Sequence, residues 1–155
     1  MVEKVKYSEL ENYIGHQYEW SDWLDVTQEK INLFADATGD HQWIHVDVEA
    51  AKKGPFGSTI AHGYWTLSII PAISVKVRIY TGIGMGVNYG TNKVRFPMPV
   101  HIGKRVRAKA TLNAVKPIDK PSPGKQIEET FEIWVEGAKK PACVANTISR
   151  LYPMG

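Results

Sequence analysis

The segment from Ala61 to about Ile79, "AHGYWTLSIIPAISVKVRI", constrains the fold more than any other part of the chain. Its first dozen residues carry no polar stripe, so as a helix it would have to be enclosed by protein on every side. The second half points elsewhere: Pro71 removes an internal helical hydrogen bond, and "ISVKVRIY" alternates apolar and polar like a strand. Local propensity therefore leaves the end of this segment open between helix and strand. The residues that follow supply the enclosure. "VNYGTNKVRF", "KRVRAKATLNAV", "QIEETFEIWVEG" and "ACVANTISRLY" show period-two alternation or β-branched enrichment between Gly and Pro punctuation, and "KPIDKPSPGKQ" at 116–126 reads as an exposed loop joining two of them.

Ahead of the apolar segment the chain reads as short helices. "YSELENYIG" has Ser8 as cap and Gly15 as stop, and "TQEKINLFADATG" has Thr27 as cap, Ile31, Phe34 and Ala35 as inner face and Gly39 as terminator. "VDVEAAKKG" makes a third, closed by Gly54 and Pro55. Helices first and antiparallel strands after, with one enclosed segment between, is an α+β plan in which a single sheet covers the buried helix. At 155 residues one domain spanning 1–155 is expected, long enough to bury about two-thirds of its unfolded surface.

Several functional classes recede on composition. A net charge of +3 falls short of the clustered basic face of a nucleic-acid binder, although Lys104, Arg105, Arg107 and Lys109 interleave with small apolar residues in "GKRVRAKA". No run approaches the ~18 apolar residues of a membrane span. The opening "MVEKVKYSELENYIG" lacks the apolar core of a secretory signal, so the expected compartment is the cytoplasm. With Cys143 the single cysteine, intramolecular disulfides and thiolate zinc sites drop out. "TGIGMG" at 81–86 lacks the strand-loop-helix context of a dinucleotide loop.

Chemistry concentrates in "GDHQWIHVD", residues 39–47. The D-x4-H spacing of Asp40 and His45 rules out one helical face and suits a turn that brings both side chains to a common point. A carboxylate and an imidazole at one water would serve hydration or dehydration, one group moving a proton at water and another at carbon. The structural reading stands beside it: Asp after a helix-ending Gly often caps the next turn, and His near Trp43 is often a satisfied core residue. His41 reads as an outward turn residue. A metal held by His41, His45 and Asp47 lacks supporting spacing, so none is expected. Sixteen residues on, "FGSTIAHGYWTLS" opens the apolar segment at His62-Gly63, where the free N–H groups of a helix start would suit a carbonyl oxygen gaining charge.

Together, "ATGDHQWIHVD" and "GPFGSTIAHGYWTLSIIP" resemble the hydratase signature of the MaoC-like dehydratases, S/T-G-D-x4-H-x-D followed by F-G-x-x-I-A-H-G. "VNYGTNKVRFPMPVHIGKRVR" is similar to the NodN-like branch, and the likeness spans residues 27 to about 112. The resemblance implies a hot-dog fold, an antiparallel sheet wrapped around a long central helix, usually as a homodimer with tunnels near the interface. It implies that Gly63 to about Val77 is largely helical. The family activity it implies is R-specific hydration of trans-2-enoyl thioesters, or the reverse, on coenzyme A or acyl carrier protein as substrate handle, with no metal or redox cofactor. By motif position Asp40 and His45 hold the water and the Gly63 amide meets the thioester carbonyl, while Asn88 in "NYG" would line the site. The chain departs where some members carry a serine eight residues after the H-G glycine: here it has Pro71. Lys93, Arg95, Lys104 and Arg105 are candidates for coenzyme A phosphates, and Trp43 and Trp65 for tunnel wall or core. Thioester hydrolysis on the same fold and a non-catalytic acyl-binding protein are the competing readings.

Overall fold

The computed structural model describes residues 1–155. A five-stranded antiparallel sheet curls around the apolar segment. Its order is β2 (Leu24–Asp25), β5 (Arg105–Ile118), β6 (Gly124–Val135), β7 (Cys143–Pro153), β4 (Ile83–Arg95). A parallel pair, β1 (Glu3–Lys6) with β3 (Arg78–Thr81), closes one end. The inner face follows the alternation of the sequence: Val106, Ala108, Ala110 and Leu112 on β5 and Ile127, Phe131 and Ile133 on β6 are buried. Alanines at 108, 110 and 145 leave room for the enclosed helix, and helices and sheet share one core cluster. No helix is long and apolar enough to cross a membrane.

The apolar segment is helical but broken, and it is not enclosed on every side: Trp65, Ile70 and Ile73 are buried against the core, whereas Tyr64 and Val75 stand 70% and 54% exposed. α4 (Gly63–Ser68) is followed by α5 (Ile70–Ser74), with Pro71 in the first turn of α5. Lacking an N–H, Pro71 leaves the Leu67 carbonyl without its helical donor, while the Ile69 amide keeps its ordinary helical bond to the Trp65 carbonyl at 3.0 Å. The alternating tail then wins: the helix stops at Ser74 and β3 begins at Arg78. The resemblance is thus right for the body of the segment, and the alternation for its end.

Upstream, α1 (Gln28–Thr38) keeps the bounds its caps dictate. Thr27 accepts from the Lys30 amide at 3.3 Å, and Gly39 ends the helix at φ +83. Ile31 and Ala35 are buried and Phe34 packs against the core. The Ser8 cap is not observed. Tyr7–Tyr13 is a 3-10 helix starting after Lys6 with no side-chain cap, because the chain enters it directly from β1. α2 (Trp43–Val46) and α3 (Val48–Lys52) follow, α3 capped by Asp47 through the Ala50 amide at 3.0 Å. Residues 119–123 link β5 to β6 as the expected loop.

Where β6 begins, the last strand passes very close. A Cβ on Gly124 would lie 2.6 Å from the Leu151 carbonyl oxygen and 2.8 Å from the Tyr152 ring. Since the first of these is backbone, Gly124→Ala is expected to cost about 1–3 kcal/mol, lowering Tm by roughly 2–10 °C. A thermal melt at matched concentration checks it, and an unchanged Tm would show the two strands free to separate there.

Candidate active site

Gly39 in the left-handed conformation turns the chain off α1, and Asp40 follows at once. Its Oδ1 accepts from the Gln42 amide at 3.3 Å, a tight turn that leaves the carboxylate exposed. Five residues on, α2 carries His45 inward to 7% exposure. The Gln28 side chain braces this turn. Its Nε2 donates to the His45 carbonyl at 2.8 Å while its Oε1 accepts from Thr59 at 2.7 Å.

The His45 tautomer follows from its partner. Nδ1 lies 2.8 Å from the Ile60 carbonyl, which can only accept, so Nδ1 carries the proton and Nε2 keeps its lone pair. Burial holds the imidazole below its ordinary pKa, outweighing the Ile60 bond and the Asp40 charge, which favour the cation.

His62, just before α4, is 2% exposed and completes the cluster. Its Nε2–H donates to the Asp40 carbonyl at 2.9 Å, and its ring stacks on His45 with centroids 3.9 Å apart and planes 24° from parallel. Ligand atoms of Asp40, His45 and His62 all lie within 4.8 Å of one another. Sequence reasoning treated His62 only as the opening of the apolar segment and missed it as a site residue. Its place in the H-G pair was the available signal. The cluster is a poor chelate, because stacked imidazoles direct their in-plane lone pairs side by side, whereas a tetrahedral metal needs them to converge. His41, His45 and Asp47 do not assemble: His41 is exposed on Asp36 at 2.8 Å, and Asp47 caps α3.

Gly63 is the first residue of α4, and the amides that reach back to the His62 carbonyl are those of Trp65 and Thr66. The Gly63 N–H thus lies ahead of the first intrahelical bond. A cavity of about 390 Å3 opens here, lined by His45, Ile60, Gly63, Thr66 and Phe96 among others. Phe96 lies so close that a Cβ on Gly63 would meet its ring at 3.0 Å. The structure brings Asp40, His45 and Gly63 into one neighbourhood, with His45 and Gly63 in the cavity wall and Asp40 exposed beside His45.

Asn88 is not brought there. It sits on β4 opposite Ser149 and lines a different cavity, with Pro71, Ser74 and Arg78, because the twist of β4 carries it toward α5. Of the basic candidates, Lys93 and Arg95 line a recess that shares Phe96 with the His45 cavity. Arg105 is spent in a bidentate pair with Glu136 at 2.8 and 2.6 Å. Trp65 is core at 6% exposure, whereas Trp43 stands 44% exposed over Gly54 and lines no part of the cavity. Cys143 is fully buried, its thiol pushed up to about 11 by desolvation.

Residues 9–131 match the family described as "MaoC like domain". Among named relatives, the 3-hydroxyacyl-thioester dehydratase Z of Mycobacterium tuberculosis is 51% identical over 88% of this chain and 89% of that protein. Nodulation protein N of Rhizobium leguminosarum bv. viciae is 40% identical over 96% of this chain and 92% of that protein. Among solved structures, a monoamine oxidase regulatory protein from Archaeoglobus superposes with a TM-score of 0.75 at 26% identity, covering 100% of this chain and 99% of that one. The R-hydratase PhaJ1 from Pseudomonas aeruginosa does so with 0.76 at 20% identity, covering 99% and 89%, a likeness of fold alone. With the family model covering residues 9–131 and a relative 51% identical over most of both chains, the chain belongs to the MaoC-like dehydratase family.

Proposed function

We propose that this chain catalyses R-specific hydration of trans-2-enoyl thioesters to 3-hydroxyacyl thioesters, and the reverse dehydration. The observation that carries this is a buried His45 whose Nε2 lone pair is left free by the Nδ1 bond to Ile60, with a ring nitrogen within 4.8 Å of the Asp40 carboxylate, in the wall of a cavity that Gly63 also lines. Asp40 and His45 hold one water. As its oxygen bonds to C3, one of the pair takes the water proton, C2 receives a proton, and the C2–C3 π pair passes through an enolate-like state on the thioester oxygen. The Gly63 N–H donates to that oxygen, where such a donor is typically worth about 3 kcal/mol of barrier. His62 holds the Asp40 main chain and backs the His45 ring. These groups move every proton the reaction needs, so no cofactor is called for. The enzyme works in the cytoplasm on coenzyme A or acyl-carrier-protein thioesters, with Lys93 and Arg95, which line the recess beside the cavity, as cations for the phosphate-bearing handle.

The test is loss of the conjugated-enoyl absorbance of crotonyl-CoA with purified protein, followed by chiral analysis for the R product. Release of free thiol from saturated acyl-CoA in place of hydration would make the protein a hydrolase, and tight binding without turnover an acyl-binding protein. Because His45 must be neutral to hold the water with Asp40 and burial lowers its pKa, kcat/KM is expected to hold as pH falls past the ordinary histidine value of 6.5 and to drop only below it. A pH-rate profile whose acid limb lies above that value would contradict this.

A homodimer accompanies the reading. β4 is an edge strand of 13 residues, exposed nearly throughout, with Met85, Val87 and Tyr89 at 50%, 41% and 57%. Natural proteins cover or charge such edges, and a second copy presenting the same strand is self-complementary. Light scattering should give the mass of two 17.4-kDa chains, and Met85→Lys with Val87→Lys should bring it to one. A wild-type protein of one-chain mass would remove this assembly.

A further inference from the structure

Gln28, the first residue of α1, carries a side chain that joins three parts of the candidate site. Its Nε2 donates to the His45 carbonyl at 2.8 Å and to Asn32 Oδ1 at 2.9 Å, and its Oε1 accepts from the Thr59 hydroxyl at 2.7 Å. The His45 carbonyl can only accept, so the amide is oriented with its nitrogen toward α2 and its oxygen toward Thr59. Both amide hydrogens and the oxygen are thereby used.

The segment to which Thr59 belongs is fixed independently. The Ile102 amide donates to the Thr59 carbonyl at 3.1 Å and the Ala61 amide to the Val100 carbonyl at 2.8 Å, which anchors the segment to the chain entering β5. Two direct bonds then lay α2 on it: the Ile60 amide donates to the Ile44 carbonyl at 3.0 Å, and His45 Nδ1–H to the Ile60 carbonyl at 2.8 Å. The second of these sets the His45 tautomer, and it hangs on a side chain meeting a carbonyl of a separate element.

The Gln28 amide spans the same gap, from the His45 carbonyl to the residue before Ile60. Without it the Thr59 hydroxyl, on a residue 3% exposed, would be buried with no acceptor. The bridge needs a donor and an acceptor on one rigid group, which an ionised glutamate and a lysine each lack by half.

We propose that Gln28 is a positioning residue for the hydration reaction: by holding the His45 carbonyl and the Thr59 hydroxyl on one amide, it keeps the Ile60 carbonyl on Nδ1 and the Nε2 lone pair turned to the water shared with Asp40. Its value for the reaction rests on the dehydratase reading; its hold on the tautomer does not. Gln28 lines no part of the His45 cavity, so it acts through His45 and not on the substrate. Released from Ile60, a neutral imidazole can carry its proton on Nε2, where it donates to the water instead of accepting from it.

Gln28→Met keeps the length of the side chain and removes its bonds, and Thr59→Val keeps the shape of the partner and removes the hydroxyl. Each is expected to lower kcat for crotonyl-CoA by about 10–100-fold with KM held within about two-fold. The double variant should fall no further than the slower single one, because both changes break one bridge. Long-range nitrogen–proton NMR spectra recorded above pH 6.5, where burial leaves His45 neutral, give the tautomer directly, with the His45 signals identified by their absence from His45→Asn. Wild-type protein should show Nδ1–H alone, and each single variant a population of Nε2–H. A folded Gln28→Met or Thr59→Val protein that keeps the pure Nδ1–H form or the wild-type kcat overturns the assignment, as do losses that add in the double variant. A wild-type protein that fails to hydrate crotonyl-CoA removes the reaction instead, and its spectra still decide whether Gln28 sets the tautomer.

Discussion

Asp40→Asn is expected to lower crotonyl-CoA hydration by about 10²–10⁴-fold, the usual contribution of a positioned acid or base, with Tm changed by no more than roughly 2 °C. Rate and stability separate here because of how Asp40 is held. Its carboxylate is exposed and accepts only the Gln42 amide at 3.3 Å, a bond the asparagine oxygen can also accept. The contact to His62 comes from the Asp40 carbonyl, which the substitution leaves in place. Asparagine lacks a proton-transferring group and the negative charge. His45→Asn makes the contrast: it abolishes turnover and also loses the buried bond to Ile60, so its Tm falls as well. Hydration that persists in a folded Asp40→Asn protein would falsify the assignment of Asp40.

The same geometry explains what the sequence made legible. α1 kept its bounds because Thr27 and Gly39 act through local bonds, and the strands follow alternation because each has one face on the core. The D-x4-H pair was readable because a left-handed Gly immediately before Asp40 is itself a local feature. His62 escaped notice because its role depends on a ring stacked from α2 and a carbonyl twenty-two residues back. Asn88 was drawn toward the site by its motif, but the direction of β4 is set by pairing with β7. The break at Pro71 was visible; its outcome depended on whether the sheet could enclose a bent helix. Arg78 and Glu129 were also in plain sight, Glu129 in the core-facing register of Ile127, Phe131 and Ile133. Nothing local names a partner 51 residues away.

That pair should dominate stability. Glu129 is 1% exposed and accepts from Arg78 at 2.7 and 2.9 Å and from the Tyr80 hydroxyl at 2.9 Å, while the guanidinium lies 4.2 Å over the Tyr80 ring. Burial by itself would lower the Arg78 pKa, but the charge and bonds of Glu129 raise it further, and burial followed by the Glu129 charge raises that of Tyr80. Glu129→Leu strands a buried guanidinium and should cost about 3–5 kcal/mol, a fall of roughly 6–20 °C in Tm. Arg78→Met strands a buried carboxylate and should cost as much. The double variant removes both charges and is expected to regain most of the loss, since well-packed apolar replacements of buried pairs are often neutral or stabilising. Urea unfolding of the four proteins at constant m-value measures the coupling; single losses that simply add in the double variant would show that the two charges do not depend on each other. A recovered double variant would also mean that the fold does not require this pair.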